Sequence, residues 1–255
     1  MANVGEGVGA FSEGEREPHP SDSLRTFGAV VQALREYAGL SRVEFGERVR
    51  FSKLGRAAPY LSRGEVGLAA WFREWARLER TAVSLCTYEC RLVPGLLQSE
   101  AYARAVFEGT IPVVTDERLE ALLAARAERQ RMLVERPTML FSFIVEEHVF
   151  RRRFGDAEAA RGLLDHVLAA AAPRNVTLQV VPLGGGLHAC LDGPVQVLET
   201  PEGRRLGYAE GQESGRLISD PKGVSLLCQR YETLRSQALN PQESRALLER
   251  LRGEQ

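Results

Sequence analysis

The apolar pattern of this chain changes its period at Pro137. Up to that point apolar residues recur at helical spacing. After it come short runs rich in β-branched and aromatic residues, Met139 to Val145 and Val176 to Val181. A chain that carries the two periods in separate blocks has to pack helices against a sheet. The expected fold class is therefore α+β: a partial all-α opening, a helical segment, and a mainly antiparallel sheet of about four or five strands flanked by helices. Gly193 to Thr200 alternates, and Pro201-Glu202-Gly203 turns into a further run, Arg204 to Glu210. A helix is expected between the first two runs, over Ala157 to Ala171. Asp220-Pro221 opens a later one with Leu226, Leu227, Tyr231 and Leu234, and Asn240-Pro241-Gln242-Glu243 places an N-cap, a Pro at N1 and a Glu at N3 for the last.

The front of the chain reads differently. Residues 1–21 are Gly, Glu, Ser and Pro with little apolar content, a composition expected to form a disordered leader. Over 22–58, Leu24, Phe27, Val30, Val31, Leu34 and Ala38 share one helical face, Gly39 stands where a C-cap belongs, and Ser41 with Glu44 makes a capping box for a second helix. Leu54 to Pro59 breaks the period, and residues 59–255 are expected to form the C-terminal domain. There the spacing predicts a helix from about Ser62 to Ala82 with Trp71, Trp75 and Leu78 on one stripe. A break at Pro94-Gly95 precedes a helix over Ser99 to Phe107. A last one follows over Asp116 to Glu135, whose Arg126, Glu128, Arg129 and Arg131 read as an exposed charged face.

The 255 residues include 33 basic and 34 acidic side chains, a net charge of −1, so contact with nucleic acid has to be local. No apolar run approaches the roughly 20 residues that span a bilayer. Four cysteines, Cys86, Cys90, Cys190 and Cys228, suit a reducing cytoplasm.

Leu34-Arg35-Glu36, Ala38-Gly39-Leu40-Ser41 and Glu44-Phe45-Gly46 resemble the opening of an Xre-type helix-turn-helix, over Leu24 to Lys53. Downstream, Trp71, Leu78-Glu79, Tyr88-Glu89, Val93-Pro94-Gly95-Leu96-Leu97-Gln98 and Ala101-Tyr102-Ala103-Arg104 are similar to the C-terminal effector domain of actinobacterial antitoxin-like Xre regulators. Arg126, Arg129-Gln130 and Arg174-Asn175-Val176 to Pro182 extend that similarity. The resemblance implies a cytoplasmic, homodimeric transcription regulator with no enzymatic activity and no cofactor. Its partners would be DNA, a small acidic protein encoded nearby and a small-molecule effector. The sequence departs from the family where a Ser-initiated recognition helix should follow, because Ser52-Lys53 runs straight into Leu54-Gly55-Arg56-Ala57-Ala58-Pro59. Roughly 30 residues of the DNA-binding bundle are missing, and with them base readout. Arg42, Arg48, Arg50, Ser52 and Lys53 are left as DNA-contacting candidates, suited to salt-sensitive, sequence-independent phosphate contacts. The alternative function is an interaction module that sequesters a partner or an intact relative; an enzyme that reuses the sensing pocket ranks below both.

Catalytic and metal motifs are incomplete. Gly211-Gln212-Glu213-Ser214-Gly215 is one position away from a G-x-S-x-G elbow, and Leu183-Gly184-Gly185-Gly186-Leu187 lacks the Lys and the helix of a phosphate loop. Cys86 and Cys90 have no second pair to complete a metal site, and Glu146-Glu147-His148 reads as a sheet-to-helix junction. His188, Cys190 and Asp192 alternate, so an extended segment would turn them to one side. The remaining candidate is a small-molecule or partner pocket built from Pro94, Leu97, Gln98, Tyr102 and Phe107, with Phe141, Phe143 and His188.

Overall fold

A computed structural model describes residues 70–210 and 215–255, all in the second of the two units into which the chain divides, residues 63–255. The expected leader, the helix-turn-helix segment with Arg42, Arg48, Arg50, Ser52 and Lys53, and residues 211–214 of the near-elbow lie outside the described residues.

Helix α1, Ala70–Glu79, leads into strand β1, Ser84–Glu89, then a 3-10 turn, Gly95–Leu97, and helices α2, Glu100–Glu108, α3, Asp116–Gln130, and α4, Met132–Glu135. Strand β2, Leu140–Glu146, runs into α5, Glu147–Arg151, and α6, Ala157–Ala170. Strands β3, Val176–Val181, β4, Val195–Glu199, β5, Arg205–Glu210, and β6, Gly215–Ile218, precede α7, Pro221–Gln237, and α8, Pro241–Gly253. The strands form one sheet in the order β3-β2-β1-β4-β5-β6. β1 pairs in parallel with β2, and β2 with β3, while β1–β4, β4–β5 and β5–β6 are antiparallel. The architecture is α+β, with a mixed sheet flanked by helices.

Strand β1 was not expected. The segment falls within the block of helical periodicity, and its sequence, Ser-Leu-Cys-Thr-Tyr-Glu, offers no apolar alternation because both of its faces are covered. Leu85, Thr87 and Glu89 point to one side, Cys86 and Tyr88 to the other. The expected Ser62 to Ala82 helix consequently ends at Glu79, since Val83 is already engaged by the sheet, donating to Glu199 O (2.8 Å) and accepting from Leu140 N (3.0 Å). The expected Asp116 to Glu135 helix is split at Arg131 into α3 and α4.

The sheet separates two cores. On one face Leu85, Phe141, Phe143, Val145, Leu178 and Tyr208 join Trp75 of α1, Leu97 of the 3-10 turn, Leu164 of α6 and Leu248 of α8. On the other, Tyr88, Ile144 and Val197 pack with Tyr231 and Leu234 of α7. Ser99, Thr115, Asp156, Asp220 and Asn240 cap α2, α3, α6, α7 and α8, each accepting from the backbone N–H three residues on, and Asn240 with Glu243 completes the expected capping box. The outer edge of β3 is closed at Val180, whose N–H donates to Ser244 Oγ (2.9 Å) and whose carbonyl accepts from Leu239 N (2.9 Å).

Candidate functional site

β1 and β5 point the same way because each is antiparallel to β4, so their last residues, Glu89 and Glu210, reach the same end of the sheet on the same face. One strand lies between them, which sets their backbones about 9–10 Å apart. Beyond this end the turn through Val93–Gln98 folds over, and α3 crosses above it. Between turn, helix and sheet lies a half-open cavity of about 460 Å³, within the range of small-molecule sites.

The floor is Leu85, Thr87 and Glu89 of β1, Phe143 of β2 and Gln196 of β4, with Thr87 and Gln196 directly paired in register. Phe72 and Phe107 form aromatic walls. Arg118, Leu122, Arg126 and Arg129 of α3 form the roof. The two inner arginines lie over these rings, Arg126 5.0 Å from the centroid of Phe107 and Arg129 4.6 Å from that of Phe72.

Arg129 is buried and grips the buried Glu79 of α1 with two parallel hydrogen bonds, Nε to Oε2 at 2.9 Å and Nη2 to Oε1 at 3.0 Å. Arg126, one turn earlier, donates from Nη1 to Gln98 Oε1. Gln98 is itself held by its Nε2 donating to Val93 O at 2.7 Å, and Gln130 Nε2 ties α3 to the carbonyls of Gly95 (3.0 Å) and Gln98 (2.6 Å). A Cβ on Gly95 would stand 2.8 Å from Arg126 Nη1, so only glycine there leaves the guanidinium its place. Two atoms of the lining are buried without a partner: Nε of Arg126 and Oε2 of Glu89. Trp75 Nε1 and Tyr208 OH are also unpartnered, and their rings stack at 5.2 Å beside Phe72. Orphaned buried polar atoms are uncommon in folded proteins and mark places where a ligand or water completes the bonding.

Burial shifts the titration of both groups. It pushes the Glu89 carboxyl up to about 7, against the opposing pull of the Arg91 guanidinium. It lowers Arg126 to about 10, with the neighbouring Arg129 adding to the effect, so Arg126 stays cationic at neutral pH.

Of the residues expected to form a pocket, Pro94, Gln98, Phe107 and Phe143 line this cavity. Leu97, Tyr102 and Phe141 do not: they are buried in the adjoining core, with the Tyr102 hydroxyl accepting from Val93 N (3.3 Å) and the Phe141 ring stacked on Phe143. His188 lies on the opposite face of the sheet, edge-on to Tyr88. Its Nδ1 accepts from Cys190 N (3.2 Å), so Nε2 carries the proton and donates to Glu146 Oε1 (2.9 Å), which also accepts from the Tyr88 hydroxyl (2.9 Å). His188, Cys190 and Asp192 do not converge, since the segment is turn rather than strand: Cys190 is buried and Asp192 faces outward to Arg230 (2.9 Å). The expected exposed face of α3 is corrected too, because Arg126 and Arg129 roof the cavity. Glu79, Glu89 and Glu210 of the site were not anticipated. Among the described residues no group of three or more His, Cys, Asp or Glu is placed to hold a metal ion.

A mixed sheet with a lateral cavity, roofed by a helix that carries the buried Arg129 and the half-buried Arg126, defines an α+β class of domain and no particular chemistry. Residues 72–250 match a family described as a domain of unknown function, DUF5753, and the chain belongs to that family. No curated protein and no solved structure matches it.

Proposed function

We propose that this domain is the sensing half of a regulator of the Xre antitoxin-like type, binding a small molecule in the cavity roofed by α3, and that it is not an enzyme. The observation that carries the reading is the cavity itself, lined by aromatic and aliphatic side chains and by two unpartnered buried polar atoms. Such a lining suits recognition: an apolar body is enclosed and a few polar groups orient it. The regulator part rests on the resemblance of Leu24 to Lys53 to an Xre helix-turn-helix. With the recognition helix missing, its contact with DNA is through phosphates, by Arg42, Arg48, Arg50, Ser52 and Lys53.

Two measurements test the two halves of the proposal. A thermal-shift screen of small molecules against the wild type and Val106→Trp, which fills the cavity wall, should give hits whose shift disappears in the variant; hits indifferent to the variant would place binding elsewhere. Fluorescence anisotropy on duplex DNA from upstream of the gene and on a scrambled duplex should give equal, weak binding that is lost as salt rises. Specific binding that tolerates salt would refute the phosphate-only assignment. No binding to either duplex would favour the interaction-module reading. That reading has one observation of its own: Leu183, Leu187 and Leu191, largely exposed in the single connection between β3 and β4, suit a protein partner or a second copy of the chain.

A further inference from the structure

We infer that the cavity selects an amphoteric small molecule of short-peptide character: a carboxylate seated on the Nε edge of Arg126, an apolar body between Phe72, Phe107 and Phe143, and a protonated amine at Glu89. This rests on the cavity being a ligand site and names what that site takes.

The carboxylate end follows from a comparison within α3. Arg129 presents its Nε and Nη2 edge to the carboxylate of Glu79, while Arg126, three residues earlier on the same helix, is anchored through Nη1 and leaves its Nε without a partner. The anchoring by Gln98 fixes the plane of the guanidinium, and the Phe107 ring supports one of its faces. A planar two-oxygen anion completes at Arg126 the arrangement that Glu79 completes at Arg129, and a bidentate site of this kind prefers carboxylate to neutral acceptors.

The amine end follows from the sheet. Glu89 Oε2 is a buried acceptor with no donor, and Glu210 closes the same end of the sheet from β5. Arg126 is tied to Gln98 of the turn and lies over Phe107 of α2, whereas Glu89 ends β1 with the Arg91 guanidinium 4.0 Å from its Oε1. The two groups thus stand on different elements around one cavity, and a ligand that reaches both carries its two charges at opposite ends of its body. A hydrophobic dipeptide has the right charges at the right ends, and the aromatic walls receive its side chains.

The probes are L-leucyl-L-phenylalanine, L-phenylalanyl-L-leucine and, for each, the C-terminal amide and the N-acetyl form, titrated by calorimetry into the full chain. At least one free dipeptide should bind, its amide and its acetyl form each at least tenfold more weakly. Arg126→Lys, which keeps the charge but loses the fork, should erase the preference for free acid over amide. Glu89→Gln should erase the preference for free amine over acetyl. Because Arg126→Lys also strips a partner from Gln98, folding of each variant is checked by its circular dichroism and melting curve, and the derivative series on the wild type decides the matter independently of the variants. Derivatives that bind as tightly as their parent, with binding abolished by Val106→Trp, would overturn the amphoteric assignment and leave the cavity a ligand site. Failure of every dipeptide, while neutral screening hits still depend on Val106, would overturn it in the same way. Absence of any ligand sensitive to Val106→Trp would sink the ligand-site reading itself.

Discussion

At the scale of single residues, Glu89 is a carboxylate whose ionisation and burial are at odds. Its carboxyl titrates near 7 in the folded chain, against 4.5 for an unperturbed glutamate. Between these values the folded chain keeps a proton that the unfolded chain has released. The stabilisation from this group is therefore complete below about pH 4.5 and is lost as pH rises through 7. Glu89→Gln keeps the shape without the charge. In urea denaturation it should match the wild type near pH 4 and exceed it at pH 8, by at most about 3 kcal/mol. A variant no more stable than wild type at pH 8 would mean that the backbone N–H groups of Cys90 and Arg91 and the Arg91 guanidinium offset the burial of the ionised carboxylate. This residue also shows why half the site was illegible in the sequence. Pro94, Gln98, Phe107 and Phe143 could be read as a pocket from a proline-glycine turn followed by apolar residues. Glu89 and Glu210 could not, because they become neighbours across β4 only through strand pairings that no local pattern announces.

At the scale of elements, α1 and α3 are joined through one charged pair. Glu79 is 1% exposed and Arg129 8%, so neither has water to fall back on. Glu79→Gln or Arg129→Met alone should cost about 3–5 kcal/mol, since each leaves the other group buried and uncompensated. The double variant should recover a large part of that loss, and a double-mutant cycle by chemical denaturation measures the coupling. Additive losses would show that the pair does not act as a unit. The same pair explains the misreading of α3: a helix bearing Arg126, Glu128, Arg129 and Arg131 looks solvated, yet Glu128 and Arg131 are outside while Arg126 and Arg129 face inward. Charge at helical spacing does not say which charges have partners on another element. Helix starts, by contrast, were legible to the residue at Asp220 and Asn240, because a cap is a local bond between a side chain and its own backbone.

At the scale of the whole molecule, the exposed leucines of the connection between β3 and β4 bear on assembly. If they seat a second copy, Leu187→Asp should convert a dimer to a monomer in sedimentation analysis with the circular dichroism spectrum unchanged, because Leu187 is 86% exposed and supports no core. A monomeric wild type, or a dimer unaffected by the substitution, would assign the loop to another partner. The sheet order has a different consequence, one of timing. β1 is the first strand described, yet its neighbours on either side are β2 and β4, and β4 comes after most of the domain. At about 5–20 residues per second of synthesis, β1 waits on the order of ten seconds with an unpaired edge before β4 emerges from the ribosome. During that interval its open edge is a template for the wrong strand, including the same strand of a neighbouring nascent chain. Ser84, Thr87 and Glu89, which made β1 so hard to recognise as a strand, are the kind of polar residues that make such an edge a poor partner for a stray copy of itself.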